Sequence, residues 1–413
     1  MGNQNGSSRE RLLAAIEGAE GAPVPCCFMI FRALRERCRD ELEFAARQAE
    51  MGLDTRLQLD DLPLRLAPEV KVRDWTGPAS GGRPPCLNRT YETPAGALTA
   101  SVKLTEDWPY GARLPLFGDY ITPRAIKYLV TGPEDMDALR YLFPAPTAQD
   151  RDAFFRAAAE QKRFAHERGL LFAGGWRSDR SRLPEDKGLT GENGGTGTVV
   201  DTLMWLCGAT EPLLWAYDQS SFLSQLLSLI EGWNRRRLEM HLEAGVDLVV
   251  RRAWYEGTEF WSPRFYRQFI LPGLRTEVQL AHQAGARYGY IMTSGMVPLA
   301  EDLLASGADV IIGIDPGEGK GTTLEEVRAS FGGRIGLWGG VSGPLAVEQA
   351  SEGQVRQAVR EAMDAFAPSG RFILSPVDNI RASDDQTWRN VSIFIDTWRA
   401  MSAAGRAPRG APG

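Results

Sequence analysis

Between Tyr288 and Ile380 the chain repeats one phrase: a short apolar run rich in β-branched residues, a turn bearing Gly or Asp, and an amphipathic helical stretch. The runs are Tyr288–Met292, Val310–Ile314 and Arg334–Trp338, and Arg371–Ser375 closes the series. Strands that alternate with helices of ten or more residues build a parallel sheet. In such sheets the turns that follow the strands carry the chemistry. Here they read Met292-Thr293-Ser294-Gly295, Asp315-Pro316-Gly317-Glu318, Trp338-Gly339-Gly340 and Pro376-Val377-Asp378-Asn379.

Four more strands are predicted upstream, at Val24–Ile30, Thr55–Leu59, Leu170–Ala173 and Asp247–Arg251. Eight strands with mostly helical connections predict an α/β fold, a (β/α)8 TIM barrel spanning residues 21–402. Residues 68–123 break the pattern. Alternating runs at Val70–Val72, Cys86–Tyr91 and Leu98–Leu104, separated by Gly/Pro turns, predict an inserted antiparallel β flap. The polar, glycine-rich stretch Asp179–Gly197 reads as a lid loop. Residues 1–20 read as a leader with a short helix, and 403–413 as a disordered tail.

The 413 residues carry a net charge of −6 and no basic run, which argues against a nucleic-acid surface. No stretch of eighteen apolar residues occurs, so no membrane span is expected. The polar start lacks a signal-peptide core, which makes a cytoplasmic location the expectation. Five scattered cysteines do not make a disulfide framework, and Cys26 and Cys27 read as buried thiols. The three histidines, His166, His241 and His282, all fall in predicted helices and read as surface or last-turn residues. No His-rich metal site can be built from three.

Candidate site residues follow from position. Asp378, after the last strand, is a carboxylate for acid/base work, or an N-cap of the last helix. Ser294 can bind an anion at a helix start or simply cap it. Arg252 and Tyr255 sit at the most charged strand end, where Glu256 is either a general base or an arginine's partner. Trp176 and Arg177 follow the third strand and read as an interface or lid contact, or as a pair that stacks on and binds a planar anion. Asp315 could orient a polar substrate or serve its Asp-Pro-Gly turn. Trp338 and Met292 occupy the turns named above. Asp60 and Asp61 are adjacent, so one points into the barrel and the other out.

Several phrases together resemble the uroporphyrinogen decarboxylase superfamily, which includes the haem-pathway decarboxylase and the corrinoid:coenzyme M methyltransferases. They are Gly257…Phe260-Trp261-Ser262-Pro263…Tyr266-Arg267-Gln268-Phe269-Ile270-Leu271-Pro272, Gly295…Leu299…Leu303…Gly307-Ala308-Asp309, Gly336-Leu337-Trp338-Gly339-Gly340-Val341 and Gly370-Arg371-Phe372-Ile373-Leu374-Ser375-Pro376. Tyr91-Glu92-Thr93-Pro94-Ala95-Gly96-Ala97-Leu98 and Pro133-Glu134-Asp135 resemble the methyltransferase branch.

That resemblance implies methyl transfer involving a corrinoid carried on a partner protein. It also exposes departures. The methyltransferases use a His-x-Cys-Gly turn and a later Cys to hold zinc, where this chain has Met292, Ser294 and Asp378. A thioether, a hydroxyl and a carboxylate are a poor zinc set, so no metal ligand is assigned. The decarboxylase branch implies a second reading, in which Asp61, in Leu59-Asp60-Asp61-Leu62, orients a carboxylated, tetrapyrrole-like substrate. Its arginine phrase is missing; Met29-Ile30-Phe31-Arg32-Ala33 is only an echo. A third reading is a non-catalytic barrel that binds a small molecule or a corrinoid protein. The expected partners are a small-molecule substrate and a corrinoid protein, with a homodimer left open.

Overall fold

The computed structural model describes residues 6–19, 21–78, 84–175, 198–318 and 322–404. Seven strands form a curled parallel sheet: β1 (Arg56–Gln58), β6 (Leu171–Gly175), β7 (Leu248–Arg252), β8 (Arg287–Ile291), β9 (Val310–Ile314), β10 (Gly336–Ser342) and β11 (Phe372–Val377), in that spatial order. A separate antiparallel sheet orders β2 (Lys71–Gly77), β3 (Cys86–Thr93), β4 (Gly96–Lys103) and β5 (Ala125–Lys127). It is the expected flap, extended by one strand beyond residue 123.

The parallel strands are buried on both faces, which is why they read as nearly continuous apolar runs. On one face Leu171, Ala173, Leu248, Val250, Ile312 and Ile373 pack with Leu12, Ala15 and Ile16 of the helix Ser8–Glu17. This helix starts with a reciprocal Ser7/Glu10 cap. It is pinned where the strands begin: the Arg9 guanidinium bonds Asp247 at 2.8 Å, and Arg371 Nη1 donates to the Ile16 carbonyl at 2.9 Å. The strand starts are thereby covered, which leaves the opposite end for a site. The other face packs against the helices Ala148–Glu167, Ser220–Glu243, Leu271–Gln283 and Glu352–Phe366.

One expectation needs correction. Val24–Ile30, expected as the first of eight strands, forms no continuous ladder; it makes isolated parallel bridges, Cys26 with Leu374 and Ile30 with Asn379. Toward β11 the Leu374 N–H donates to the Pro25 carbonyl at 2.9 Å and the Cys27 N–H to the Leu374 carbonyl at 3.0 Å. Toward β1, Pro25 has no N–H, and the Cys26 N–H goes to the Asp54 carboxylate at 2.9 Å. Only the Asp54 N–H reaches back, to the Cys26 carbonyl at 2.8 Å. The parallel sheet of the described residues therefore has seven strands, not eight.

The segment from Pro263 to Gln283 is not one regular helix. It is broken by a π-turn at Tyr266–Ile270 before Leu271–Gln283, because Pro272 removes a donor and crowds the preceding turn. Trp176, Arg177, the glycine-rich stretch 179–197 and the tail after Ala404 lie outside the described residues. Among the described residues no helix is long and apolar enough to cross a membrane.

Candidate functional site

Arg251 and Arg252 end β7 and point to opposite faces, as neighbours on a strand must. The Arg252 guanidinium donates to both oxygens of Asp119, at 2.8 and 2.9 Å, and to Asp201. It lies 3.9 Å from the Trp254 ring centroid and 5.2 Å from that of Trp205. Asp119 comes from the connection between β4 and β5, and also accepts from Trp205 Nε1 at 3.0 Å. Asp201 belongs to the apolar helix Val199–Cys207 and is fully buried. Burial pushes its carboxyl up to about 7; Arg252 opposes the rise, and the negative charge of Asp119 adds to it.

Asp378 follows β11. Among the described residues it is the one non-glycine with positive φ, at 60°. An L-residue held in the left-handed region is uncommon outside turns and functional sites. Burial raises its carboxyl above the usual range; Arg381 works against this, while Glu348 and Asp119 reinforce it. Burial likewise raises the Tyr255 phenol, and Asp119 adds to it while Arg252 opposes. Arg252, Asp201, Tyr255 and Asp378 thus all feel the Asp119 charge, and the described rim is rich in carboxylates around one arginine.

Glu256 belongs elsewhere. It is fully buried and accepts from Arg251 Nη2 at 2.7 Å and from the Tyr290 hydroxyl. Arg251 also pairs with Glu277 at 3.3 Å, and Glu277 accepts from Asn234 Nδ2 at 2.9 Å and from the Tyr288 hydroxyl. This network sits between the sheet and the helices Ser220–Glu243 and Leu271–Gln283. Of the two sequence readings of Glu256, the geometry realises the arginine's partner.

Asp61 is also enclosed. Its carboxylate lies 3.1 Å from Arg237 Nη2 and 3.3 Å from His241 Nε2, and accepts the Leu62 N–H at 2.7 Å. His241 corrects the surface reading: it is fully buried. Its Nδ1 accepts the Gly175 N–H at 3.1 Å, which leaves Nε2 to donate toward Asp61. The Gly174-Gly175 pair permits this approach. A Cβ on Gly174 would fall 2.7 Å from His241 Nδ1, and one on Gly175 2.3 Å from the Val250 carbonyl oxygen.

The remaining candidates separate. Met292 is buried in the outer core. Trp338 is buried in the inner core and donates Nε1–H to the Cys27 carbonyl at 2.8 Å. Both are packing residues in this structure. Asp315 is buried and accepts the Gly317 N–H at 2.8 Å, the turn role foreseen as its simpler reading. Ser294 is partly exposed in the turn after β8; the helical turn beyond it starts at Val297, too far on for a Ser294 cap. Among the described residues no group of three or more His, Cys, Asp or Glu side chains could hold a metal ion. With Met292 sunk in the core, the zinc set of the methyltransferases does not fit this chain.

Asp119, Asp201 and the His241–Arg237 pair were not found from sequence. Asp201 had a signal: a lone carboxylate within Val199–Cys207, an otherwise apolar helix, requires a buried partner. Asp119, in the flap connection, had none.

A solved structure shares this architecture. A methyltransferase from Methanosarcina mazei superposes with a TM-score of 0.57 at 15% identity, covering 96% of this chain and 99% of that one. A B12-independent methionine synthase from a Shewanella species (TM-score 0.39, 9% identity, 61% and 67% covered) is too distant to argue from. The same holds for a 3-keto-D-glucoside 4-epimerase from E. coli (TM-score 0.34, 13% identity, 62% and 87% covered). No curated protein matches the chain. The sequence profile of uroporphyrinogen decarboxylase (URO-D) matches residues 177–399, more than half of the chain, which therefore belongs to the uroporphyrinogen decarboxylase family.

Proposed function

We propose that this chain is a methyltransferase-type enzyme of its family, in which Asp378 takes the proton from the methyl acceptor. The observation that carries the reading is Asp378 itself: a strained, half-enclosed carboxylate at the end of a parallel strand, with its proton affinity raised by burial. The position is the one where the resembling methyltransferases place a zinc-binding cysteine. A raised carboxylate is a better base than a solvated one, and general-base help is worth roughly 10²–10⁴-fold.

A thiol or hydroxyl acceptor would lose its proton to Asp378 as its lone pair forms the bond to the methyl carbon. The electron pair of the breaking bond stays with the methyl donor. A corrinoid on a partner protein would supply the methyl group when bound. Tyr255 and the Arg252–Asp119 pair would shape the rim around the acceptor. The decarboxylase reading has less support, because Arg252 already faces two carboxylates and Asp61 faces Arg237 and His241.

The test is spectroscopic. Purified protein is mixed with a methylated corrinoid protein and a panel of thiols, and demethylation is followed by visible absorbance. The reading expects turnover that Asp378→Asn removes. Release of CO2 from a carboxylated substrate, without demethylation, would replace it with the decarboxylase.

A further inference from the structure

The gap where the eighth ladder fails is not filled. A small, partly open cleft lies between the Pro25–Phe31 segment and β1, and Phe28, Phe31 and Phe44 form part of its wall. Two polar side chains of β1 line it, Arg56 and Gln58. The Arg56 guanidinium has two acceptors, Gln58 Oε1 at 2.6 Å and the Met29 carbonyl at 3.3 Å. Both are neutral.

Arg56 itself is partly exposed at this opening. The four arginines buried outright, Arg89, Arg237, Arg251 and Arg252, each face a carboxylate, at 2.6, 3.1, 2.7 and 2.8 Å. Arg56 has no such partner among the described residues. Arg35, across the cavity, is paired with Glu41 at 3.3 Å. Glu41 assists Arg56 only at a distance, and desolvation draws the Arg56 guanidinium below its usual value. Gln58 adds a second, independent sign. The residue is 4% exposed, and among the described residues its buried Nε2 has no acceptor. An enclosed donor without an acceptor is costly, and a partly buried cation still gains from a counter-charge.

We propose that this cavity binds a small carboxylate, held by the Arg56 guanidinium and the Gln58 amide. One ligand would answer both deficits. A planar carboxylate suits the fork of an arginine, and its second oxygen suits the neighbouring N–H. The aromatic wall accommodates the short apolar body of an organic acid. The site does not depend on the methyl-transfer reading, since it uses no residue of the Arg252–Asp119–Asp378 rim.

The test uses the full chain with 13C-labelled acetate, observed by NMR line broadening and competition. Saturable binding is expected, weakened at least about tenfold by Arg56→Met, the loss of a charge-assisted pair. Gln58→Leu is expected to weaken it less. If Arg56→Met does not fold, judged by near-UV circular dichroism, Gln58→Leu decides: undiminished affinity overturns the proposal. It is also overturned if wild type shows no saturable binding, or if Arg56→Met binds as well as wild type. Affinity lost with Arg252→Lys but kept in Arg56→Met would move the anion to the rim, against the proposal. Inorganic phosphate outcompeting acetate would assign a tetrahedral anion instead, and would likewise refute the carboxylate.

Discussion

Arg251 and Arg252 are adjacent on one strand, and among the described residues they hold different carboxylates. Arg251 holds Glu256 between sheet and helices, and Arg252 holds Asp119 and Asp201 at the strand end. The pleat of β7 thus divides a pair of identical charges between a structural network and a rim.

Replacing Arg251 by Met should leave Glu256 and Glu277 without their common cation. A loss of roughly 3–5 kcal/mol in unfolding free energy is expected, as for other broken buried pairs. Urea titration measures it. Glu256→Gln should cost less, and its folded fraction should keep turnover within a few-fold of wild type. A drop of about a hundredfold or more with unchanged stability would return Glu256 to catalysis.

Asp378 should respond to backbone and chemistry separately. Asp378→Gly is expected to keep or raise the melting temperature, because glycine accepts a φ of 60°. Asp378→Ala should lower stability by up to about 1 kcal/mol, because alanine lacks the carboxylate that accepts the Asn379 N–H and helps an Asp hold the left-handed region. Both, with Asp378→Asn, should reduce turnover about a hundredfold or more. Calorimetry and the demethylation assay together separate the two effects.

Asp61→Asn should behave in the opposite way. Its carboxylate is occupied by Arg237 and His241. Stability is expected to fall by roughly 1–3 kcal/mol for the weakened buried pairs, with turnover of folded enzyme largely kept. Abolished turnover in a fully stable Asp61→Asn protein would instead favour the decarboxylase.

Asp201 gives a pH signature. Its carboxyl is near 7 in the fold against 3.8 for the free group. Between these values the folded state keeps a proton that the unfolded state has released, so this contribution to stability is full below the lower value. It is lost as pH rises through the higher one. The slope is at most about 1.4 kcal/mol per pH unit. Wild type minus Asp201→Asn, measured by denaturant midpoints from pH 4 to pH 8, should isolate it. A difference that does not change with pH would show that Asp201 is ionised throughout.

Gly175→Ala should fail more severely than a left-handed backbone alone, which costs roughly 1–2 kcal/mol. Its new methyl would meet the Val250 carbonyl oxygen at 2.3 Å. Little soluble protein is expected on expression, whereas Gly285→Ala, with open space around it and a φ of 78°, should show only the backbone cost.

The parallel strands were legible because both faces are buried. Val310–Ile314 was read with its observed limits, and the flap was marked by its alternation. Val24–Ile30 was misread because apolar content says nothing about ladder partners; Pro25 and the Asp54 carboxylate decide those. The rim was legible only in part. Arg252, Tyr255 and Asp378 follow strands, so their positions betray them, but Asp119 arrives from a sheet far away in sequence. His241 was missed because helical spacing does not reveal which face of Ser220–Glu243 meets the glycines of β6.

The tie between Asp119 and Arg252 couples shape to electrostatics. Asp119 sits in a connection of the antiparallel sheet and Arg252 on the parallel one, so moving the first sheet away would withdraw one anion from the orifice and leave the guanidinium with Asp201 alone. An acidic surface approaching that orifice would meet less repulsion with the sheets parted than with them together.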